Sequence, residues 1–231
     1  MTKQVSTFIV KGWPAVISTN CVSLEELRLS RAVRCRLTGC IADACFGYLT
    51  KRITRMKSFR GVIAAPITPM TAAGDVDESA FARVLEFNLQ SGIHGFWLAG
   101  GSGESIMLDD EENRRLATVA AQVVGDRGIS IMHVGSPTTH RSAAMAEHAA
   151  SVGVDAICCV PPFFYQRSGQ AIVAHYRVVA AAADLPLFAY NLPNMTGVEI
   201  TPDLMRMIAD RVPQLRGLKH SAPRFATMME F

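Results

Sequence analysis

The feature that most restricts the fold of this chain is a regular alternation of short apolar segments with amphipathic ones, which begins near Phe59 and continues to the C-terminus. Short apolar runs are typical of buried strands, and the segments between them repeat their apolar residues at helical spacing. Strands that alternate with helices predict a parallel sheet covered by those helices. The pattern therefore predicts an α/β protein.

The alternation predicts six strands and five intervening helices. The predicted strands are 62–66, 95–99, 129–134, 156–160, 186–190 and 217–219, and the predicted helices are 78–90, 110–124, 140–152, 169–183 and 202–211. The last helix has a clear start signal, because Thr201 is a good N-cap and Pro202 suits the first helical position.

Both a doubly wound sheet and a barrel fit this alternation, and the residues that follow the strands help to choose. Unusual turn residues follow almost every strand: Thr68-Pro69, Gly100–Glu104, Ser136-Pro137, Pro161–Tyr165, Tyr190–Pro193 and Lys219–Ser221. A barrel builds its site from many such loops at one rim, whereas a doubly wound sheet usually concentrates it at one switch point. We therefore predict a (β/α)8 TIM barrel with about six β/α units present.

The charge distribution separates the first 57 residues from the rest. Residues 1–57 carry ten Lys/Arg and three Asp/Glu, or +7, whereas residues 58–231 carry thirteen and seventeen, or −4. A basic segment of this kind can contact nucleic acid or a membrane. We interpret 1–57 instead as a basic N-terminal extension outside the functional domain, because Met56 immediately precedes the first regular segment, and we place the domain at 58–231.

Cysteine spacing argues against a zinc site, and hydropathy argues against a membrane-spanning helix. Cys35, Cys40 and Cys45 have neither the paired spacing nor the nearby histidines of a zinc site. Free thiols without a secretory signal pattern predict a cytoplasmic protein. The longest apolar runs, such as 154–160, are too short for a membrane-spanning helix. We predict no metal, no cofactor and no membrane partner, and nucleic-acid binding is not favoured.

A glycine-rich segment, Gly100–Glu104, follows the second strand. Glycines let the backbone approach a ligand closely, and amides near a helix N-terminus favour an anion. Ile106 stands where a dinucleotide-binding fingerprint would need its third glycine. Two interpretations remain open: a small carboxylate or phosphate cradle with the Ser102 hydroxyl, or a tight turn without a ligand.

Lys219 and Tyr190 each close a predicted strand. A lysine at such a place is usually solvated, but burial would lower its pKa and make it a nucleophile. Tyr190 could cap the barrel or transfer protons. Together with the glycine segment, the two residues predict Schiff-base chemistry on a small 2-oxo acid, with the cradle holding its carboxylate.

The chain from Phe59 onward resembles the pyruvate-dependent class I aldolases, which include dihydrodipicolinate synthase and N-acetylneuraminate lyase. The matching segments are Ala65–Pro69, Gly100–Glu104, Pro162–Tyr165, Tyr190–Gly197 and Gly217–Lys219. The resemblance implies a (β/α)8 barrel, Lys219 as Schiff-base lysine and Tyr190 as proton donor and acceptor. It also implies that Ser102, Gly101 and Thr68 surround a 2-oxo acid substrate, and that full-length members form homo-oligomers, as dimers or tetramers.

Three departures from the family pattern bear on the substrate and the proton relay. Met195 replaces the arginine that grips the second substrate in the synthases, which favours a lyase or aldolase acting on another 2-oxo acid. Gly101 replaces one of two hydroxyl residues in the glycine segment. Phe164 replaces the tyrosine that completes the proton relay, and its neighbour Tyr165 is a possible substitute.

Family members continue through two further β/α units beyond the lysine. A six-stranded barrel would leave its first and last strands unpaired. We therefore expect a truncated product that carries an N-terminal extension, and we expect the family chemistry to belong to the full-length ancestor. The alternative from another class is a non-catalytic 2-oxo acid binding protein whose basic extension contacts nucleic acid.

Overall fold

All six strands are parallel and follow one another across the sheet in the order of the chain. The structure is a computed structural model, and it describes residues 57–222 and 225–231. The strands are β1 (Ile63–Ala64), β2 (Gly95–Leu98), β3 (Ile129–His133), β4 (Ala156–Cys159), β5 (Leu187–Asn191) and β6 (Leu215–His220). The helices are α1 (Glu78–Gln90), α2 (Asp110–Val124), α3 (Thr139–Val152), α4 (Gly169–Ala183), α5 (Pro193–Thr196), α6 (Pro202–Ala209) and α7 (Phe225–Met228), and a 3-10 turn covers Gly125–Arg127.

The sequential strand order decides between the two architectures that the sequence left open. A doubly wound sheet reverses its strand order at a switch point, and no reversal occurs among these six strands. The sheet is therefore a curled part of a (β/α)8 barrel, which confirms the predicted fold. Within the described residues, β1 pairs only with β2, and β6 pairs only with β5.

Side chains alternate between the two faces of the sheet, as a barrel requires. The inner face carries one buried cluster, made by Trp97, Ile129, Ile131, Ala156, Cys158, Val160, Phe188 and Tyr190. The intervening strand residues, such as Leu98, Met132 and Ile157, pack with the helices in a second and larger cluster. The barrel interior is thus a filled core, and Tyr190 is one of its members.

Side-chain caps fix where five of the helices begin, at Asp77, Asp109, Thr138, Ser168 and Thr201. Asp77 and Thr201 accept hydrogen bonds from the amides of Ala80 and Leu204, so the predicted N-cap at Thr201 is confirmed. At α2, Asp109 and Glu112 form a reciprocal capping box. The boundaries predicted for α1, α2 and α4 are also confirmed, because each amphipathic period starts directly after a capping residue or a turn.

Lys57 ties the start of the described chain to the N-terminal end of the barrel. Its Nζ donates to the carbonyl oxygens of Gly125 and Gly128, at 2.7 and 2.5 Å, and lies 3.1 Å from Oδ2 of Asp155. The same carboxylate oxygen accepts from the amide and the hydroxyl of Ser130, at 2.8 and 3.0 Å. One cation thus joins the loop before β3 to the loop before β4.

Several boundaries differ from the sequence prediction. Strand β1 has only two residues, and β6 begins at Leu215 and ends at His220, which makes it longer than predicted. Ladder pairing extends β6 at both ends, because Leu215 pairs with Leu187 and His220 with Asn191. Helix α5 was missed, since Pro193 at its first turn and Gly197 at its end leave room for only four residues.

Of the six cysteines, the structure describes Cys158 and Cys159, and both are buried free thiols, as predicted. The other cysteines and, apart from Lys57, the proposed extension lie outside the described residues. None of the helices described is long and apolar enough to span a membrane.

Candidate active site

Lys219 lies at the end of β6 with only 3% of its surface exposed. Its register partner on the neighbouring strand is Tyr190. Burial disfavours the charged ammonium and lowers the pKa of Lys219 from 10.5 to about 8, whereas the nearby Cys158 thiol acts in the opposite direction. A larger fraction of the amine is therefore neutral near pH 7 than for an exposed lysine.

Two aromatic rings contact the amine of Lys219. Its Nζ lies 4.3 Å from the centroid of the Tyr190 ring and 4.8 Å from that of Trp97. The two rings meet edge to face, with centroids 6.2 Å apart. Within the described residues no carboxylate forms an ion pair with this lysine. The amine of Lys219 therefore contacts aromatic faces, whereas the amine of a surface lysine contacts water or a carboxylate.

Tyr190 is buried as well, and burial raises its pKa above 10.0. A hydrogen bond with the Ser221 side chain partly opposes that shift. The phenol therefore stays protonated at neutral pH and is able to donate. Ser221 had no sequence signal of its own, although its position directly after β6 placed it at the same end of the barrel as Lys219.

The glycine segment passes close to both residues. A Cβ at Gly100 would lie 3.6 Å from Nζ of Lys219, and one at Gly101 would lie 3.6 Å from the Tyr190 hydroxyl. A Cβ at Gly103 would come within 2.8 Å of Cα of Ala99, which is closer than real Cβ atoms approach. The backbone therefore folds back on itself directly beside Lys219 and Tyr190.

Ser102 and Thr68, the other predicted binding residues, occupy different environments. Ser102 is exposed. Thr68 is half-buried, and its hydroxyl donates to the Gly103 carbonyl at 2.6 Å. Thr68 thus supports the glycine segment, and its hydroxyl oxygen remains available as an acceptor.

His133, at the end of β3, contacts Ser105, the residue that follows the glycine segment. Its Nδ1 lies 3.1 Å from the hydroxyl of Ser105, and its ring meets that of Tyr190 edge to face at 5.9 Å. Burial, together with the positive charge of Lys219, lowers the pKa of His133 to about 3, so the imidazole is neutral at physiological pH. The sequence offered a buried-strand histidine but no signal for its contact with Ser105.

A small cavity of about 90 Å³ lies beside this contact, and Ser105, His133 and Asn113 are among the residues that line it. The Arg141–Asp110 ion pair, 2.6 Å long, forms part of the wall. Lys219 does not line this cavity. Among the residues that the structure describes, no cluster of His, Cys, Asp and Glu side chains is suited to hold a metal ion.

The loop after β4 carries Phe164 and Tyr165, which are 83% and 65% exposed. Their rings meet at 5.0 Å, and the Arg167 guanidinium lies 5.8 Å from the Tyr165 centroid. Phe164 has a φ of 80°, a strained value for a residue other than glycine. The contacts of Tyr165 are therefore with its own loop. Met195, on α5, is also exposed.

Comparison with known proteins identifies similar sequences over the same region. The model of the dihydrodipicolinate synthetase family matches residues 58–231. A 4-hydroxy-tetrahydrodipicolinate synthase of Salinibacter ruber is 32% identical over 164 residues, which are 71% of this chain and 54% of the relative. An N-acetylneuraminate lyase of Rhizobium meliloti is 34% identical over 163 residues, which are 70% of this chain and 54% of the relative.

Solved structures show the same similarity. The dihydrodipicolinate synthase from Aquifex aeolicus superimposes with a TM-score of 0.71 at 31% identity, over 74% of this chain and 58% of that one. A sialic acid aldolase of Ruminococcus gnavus with its catalytic lysine mutated gives a TM-score of 0.72 at 26% identity, over 75% and 57%. This chain thus spans about half the length of the curated relatives that it matches.

Proposed function

The chain belongs to the dihydrodipicolinate synthetase family, and on that premise we propose that it is a lyase or aldolase that forms a Schiff base with pyruvate or a related 2-oxo acid. The observation that carries the proposal is the buried amine of Lys219, in contact with Tyr190 and beside the glycine segment. The relatives named above include a synthase and a lyase, and the solved aldolase has a catalytic lysine.

The first step is attack by the neutral amine of Lys219 on the 2-carbonyl carbon. A new carbon–nitrogen bond forms as the carbonyl π bond breaks, a proton passes from the nitrogen to the oxygen, and a carbinolamine results. The lowered pKa of Lys219 supports this role, because only the unprotonated amine has the lone pair that attacks. Gly100, without a side chain, leaves the space beside Nζ open for the carbonyl.

The second step expels that hydroxyl as water. The phenol of Tyr190 donates the proton that makes water the leaving group, and the nitrogen lone pair forms the iminium double bond. The Tyr190 phenolate then accepts a proton from C3, which gives the enamine. The enamine adds to an aldehyde, and the reverse direction cleaves a carbon–carbon bond. The buried and protonated state of Tyr190 supports its role as the donor.

The substrate carboxylate would bind at the glycine segment. The backbone at Gly101 and the exposed hydroxyl of Ser102 are proposed as its donors, and Thr68 holds the segment through Gly103. Tyr165 is proposed as a possible further relay group, on the ground that its loop follows β4 at the same end of the barrel. Its exposure means that it would have to turn inward to act.

The second substrate is proposed from the residue at 195. Met195 is exposed on the loop helix α5 and has no charge to bind a second carboxylate. This favours cleavage or formation of a 2-oxo acid whose distal part is neutral, such as a sugar acid, over dihydrodipicolinate synthesis. The similarity to an N-acetylneuraminate lyase supports the same choice.

The organisation around this domain is also part of the proposal. We propose that residues 58–231 form the barrel domain, that residues 1–57 are an extension whose last residue, Lys57, contacts that domain, and that the partner is the small 2-oxo acid. A cytoplasmic location is proposed from the free thiols, and a dimeric or tetrameric assembly from the family resemblance. Neither a membrane nor a nucleic acid is proposed as a partner.

Borohydride trapping tests the function directly. The full chain is incubated with pyruvate and sodium borohydride, and the modified peptide is identified by mass spectrometry. We expect a stable adduct on Lys219 that is absent in Lys219→Met and absent when borohydride is added without pyruvate. If wild-type protein that is folded by circular dichroism gives no adduct with pyruvate or other 2-oxo acids, the catalytic proposal is wrong.

A further inference from the structure

We infer that the indole ring of Trp97 is an electrostatic component of the site, which stabilises the positive charge on the nitrogen of Lys219. The inference rests in part on the proposed function, because the charge of interest includes that of the iminium. Its structural basis is independent: Nζ lies 4.8 Å from the Trp97 centroid, in the range of a cation–π contact.

Among the described residues, aromatic groups are the ones placed to stabilise a positive charge on the lysine nitrogen. The titratable groups that act on Lys219 or face it are Tyr190 on β5, Cys158 on β4 and His133 on β3. All three are neutral near pH 7, since burial raises the pKa of the thiol and the phenol and lowers that of the imidazole. No acid in the described residues is paired with the nitrogen.

Conversion of the neutral amine to the protonated iminium places a positive charge on the nitrogen inside these neutral surroundings. A buried cation without a counter-ion is costly, and a π-face is the apolar surface that reduces this cost. Trp97 is only 2% exposed, and a cation–π contact is stronger where water is excluded. It thereby favours the protonated lysine over the amine, and the iminium over the free carbonyl.

The position of Trp97 is fixed by packing that does not involve the lysine. The ring meets Phe188 at 5.7 Å and Tyr190 at 6.2 Å, both edge to face. A Cβ at Gly100 would lie 3.3 Å from its Cδ1. The indole therefore keeps one face toward Nζ before any substrate arrives. Phe188 offers a matched control, because it packs on the same ring while Tyr190 and Gly100 still hold the indole in its absence.

The test measures the pKa of Lys219 without substrate, by NMR titration of its Cε in lysine-labelled full chain, assigned by the loss of the signal in Lys219→Met. We expect Trp97→Leu to lower this pKa by about one unit, Trp97→Phe to lower it by less, and Phe188→Leu to leave it unchanged. Equal shifts in Trp97→Leu and Phe188→Leu would show that packing alone is responsible and would overturn the inference.

A second series keeps the shape of the ring. The chain has two tryptophans, so Trp13→Phe leaves Trp97 as the single site for fluorinated tryptophan. Each added fluorine withdraws π-density, and we expect the pKa of Lys219 to fall stepwise from the unmodified to the trifluorinated ring. A pKa that does not change along the series would overturn the inference even if Trp97→Leu does not fold.

Pyruvate then separates the inference from the proposed function. The pyruvate concentration that gives half-maximal trapped adduct should rise about tenfold in Trp97→Leu and remain unchanged in Phe188→Leu. If the wild type gives no adduct while the pKa of Lys219 still follows the tryptophan series, the proposed function fails and the electrostatic role of Trp97 stands.

Discussion

Tyr190 and Lys219 are direct register partners on adjacent parallel strands, and the Nζ of the lysine lies 4.3 Å from the centroid of the tyrosine ring. Paired residues of neighbouring parallel strands place their side chains on the same face of the sheet. Both side chains therefore point into the barrel, where burial raises the pKa of the phenol and lowers that of the amine. One pairing thus produces a protonated donor beside a nucleophile.

Removal of the Tyr190 hydroxyl should slow imine formation without removing the lysine. Tyr190→Phe is expected to reduce the rate of borohydride-trapped adduct about 10²-fold or more, because the carbinolamine loses its proton donor. Tyr176→Phe is the control. That phenol donates to the Cys159 carbonyl at 2.8 Å and belongs to the larger cluster that packs between the sheet and the helices. Similar rates in the two variants would contradict the role of Tyr190.

Replacement of Lys219 by an apolar side chain should stabilise the fold. The unfolded lysine is protonated up to pH 10.5 and the folded one only up to about 8. Because the unfolded state binds more protons between these values, wild-type stability rises with pH there. We expect Lys219→Met to raise the free energy of unfolding by about 2–3 kcal/mol at neutral pH, and this gain to disappear as pH approaches 10.5.

Urea denaturation at about pH 7 and at about pH 10 measures both quantities. Arg216→Met, at an exposed position on the same strand, is the matched control and should show no such gain. A stabilisation of Lys219→Met that is independent of pH would show that burial of the charge is not its cause.

Neutral His133 should make the domain sensitive to acid. The unfolded imidazole takes up a proton below pH 6.5, whereas the folded one does so only at about 3, so stability falls as pH falls through this window. His133→Gln should make the decline in the free energy of unfolding shallower by about 1.4 kcal/mol per pH unit. His140→Gln, at an exposed position, should leave the slope unchanged, and equal slopes in both variants would refute the prediction.

The glycine segment should accept a side chain at one glycine and reject it at another. A Cβ at Gly101 meets only the Tyr190 hydroxyl, at 3.6 Å, whereas one at Gly103 meets the Ala99 backbone at 2.8 Å. Gly101→Thr should fold normally and lower the pyruvate concentration for half-maximal adduct about two- to tenfold, through one added hydrogen bond. Gly103→Ala should lose about 1–3 kcal/mol of stability. Equal stabilities measured in urea would contradict this account.

The Lys57 contact should stabilise the N-terminal end of the barrel. Lys57→Met removes the donor to two carbonyls and to Asp155, and should lower the free energy of unfolding by about 1–3 kcal/mol. Asp155→Asn should lower it as well, and the double variant should lose less than the sum of the two. Strict additivity in urea denaturation would show that the two residues do not act together.

The sequence alone determined the order of the strands and helices and the end of the barrel at which the candidate site lies. Apolar runs and capping residues are local signals, so Thr201 was placed at a helix start without a structure. Lys219, Tyr190 and the glycine segment were also found in this way, because each directly follows or ends a predicted strand.

Only the tertiary structure decided what surrounds the lysine nitrogen. Trp97 and His133 come from strands far from Lys219 in the chain. No periodicity in the sequence shows that the Trp97 ring contacts the lysine amine, or that the lysine charge acts on His133. The same holds for the contact of Ser105 with His133, whose 28-residue separation has no local signature. The lowered pKa of Lys219 follows from burial, and burial is a property of the packed strands together.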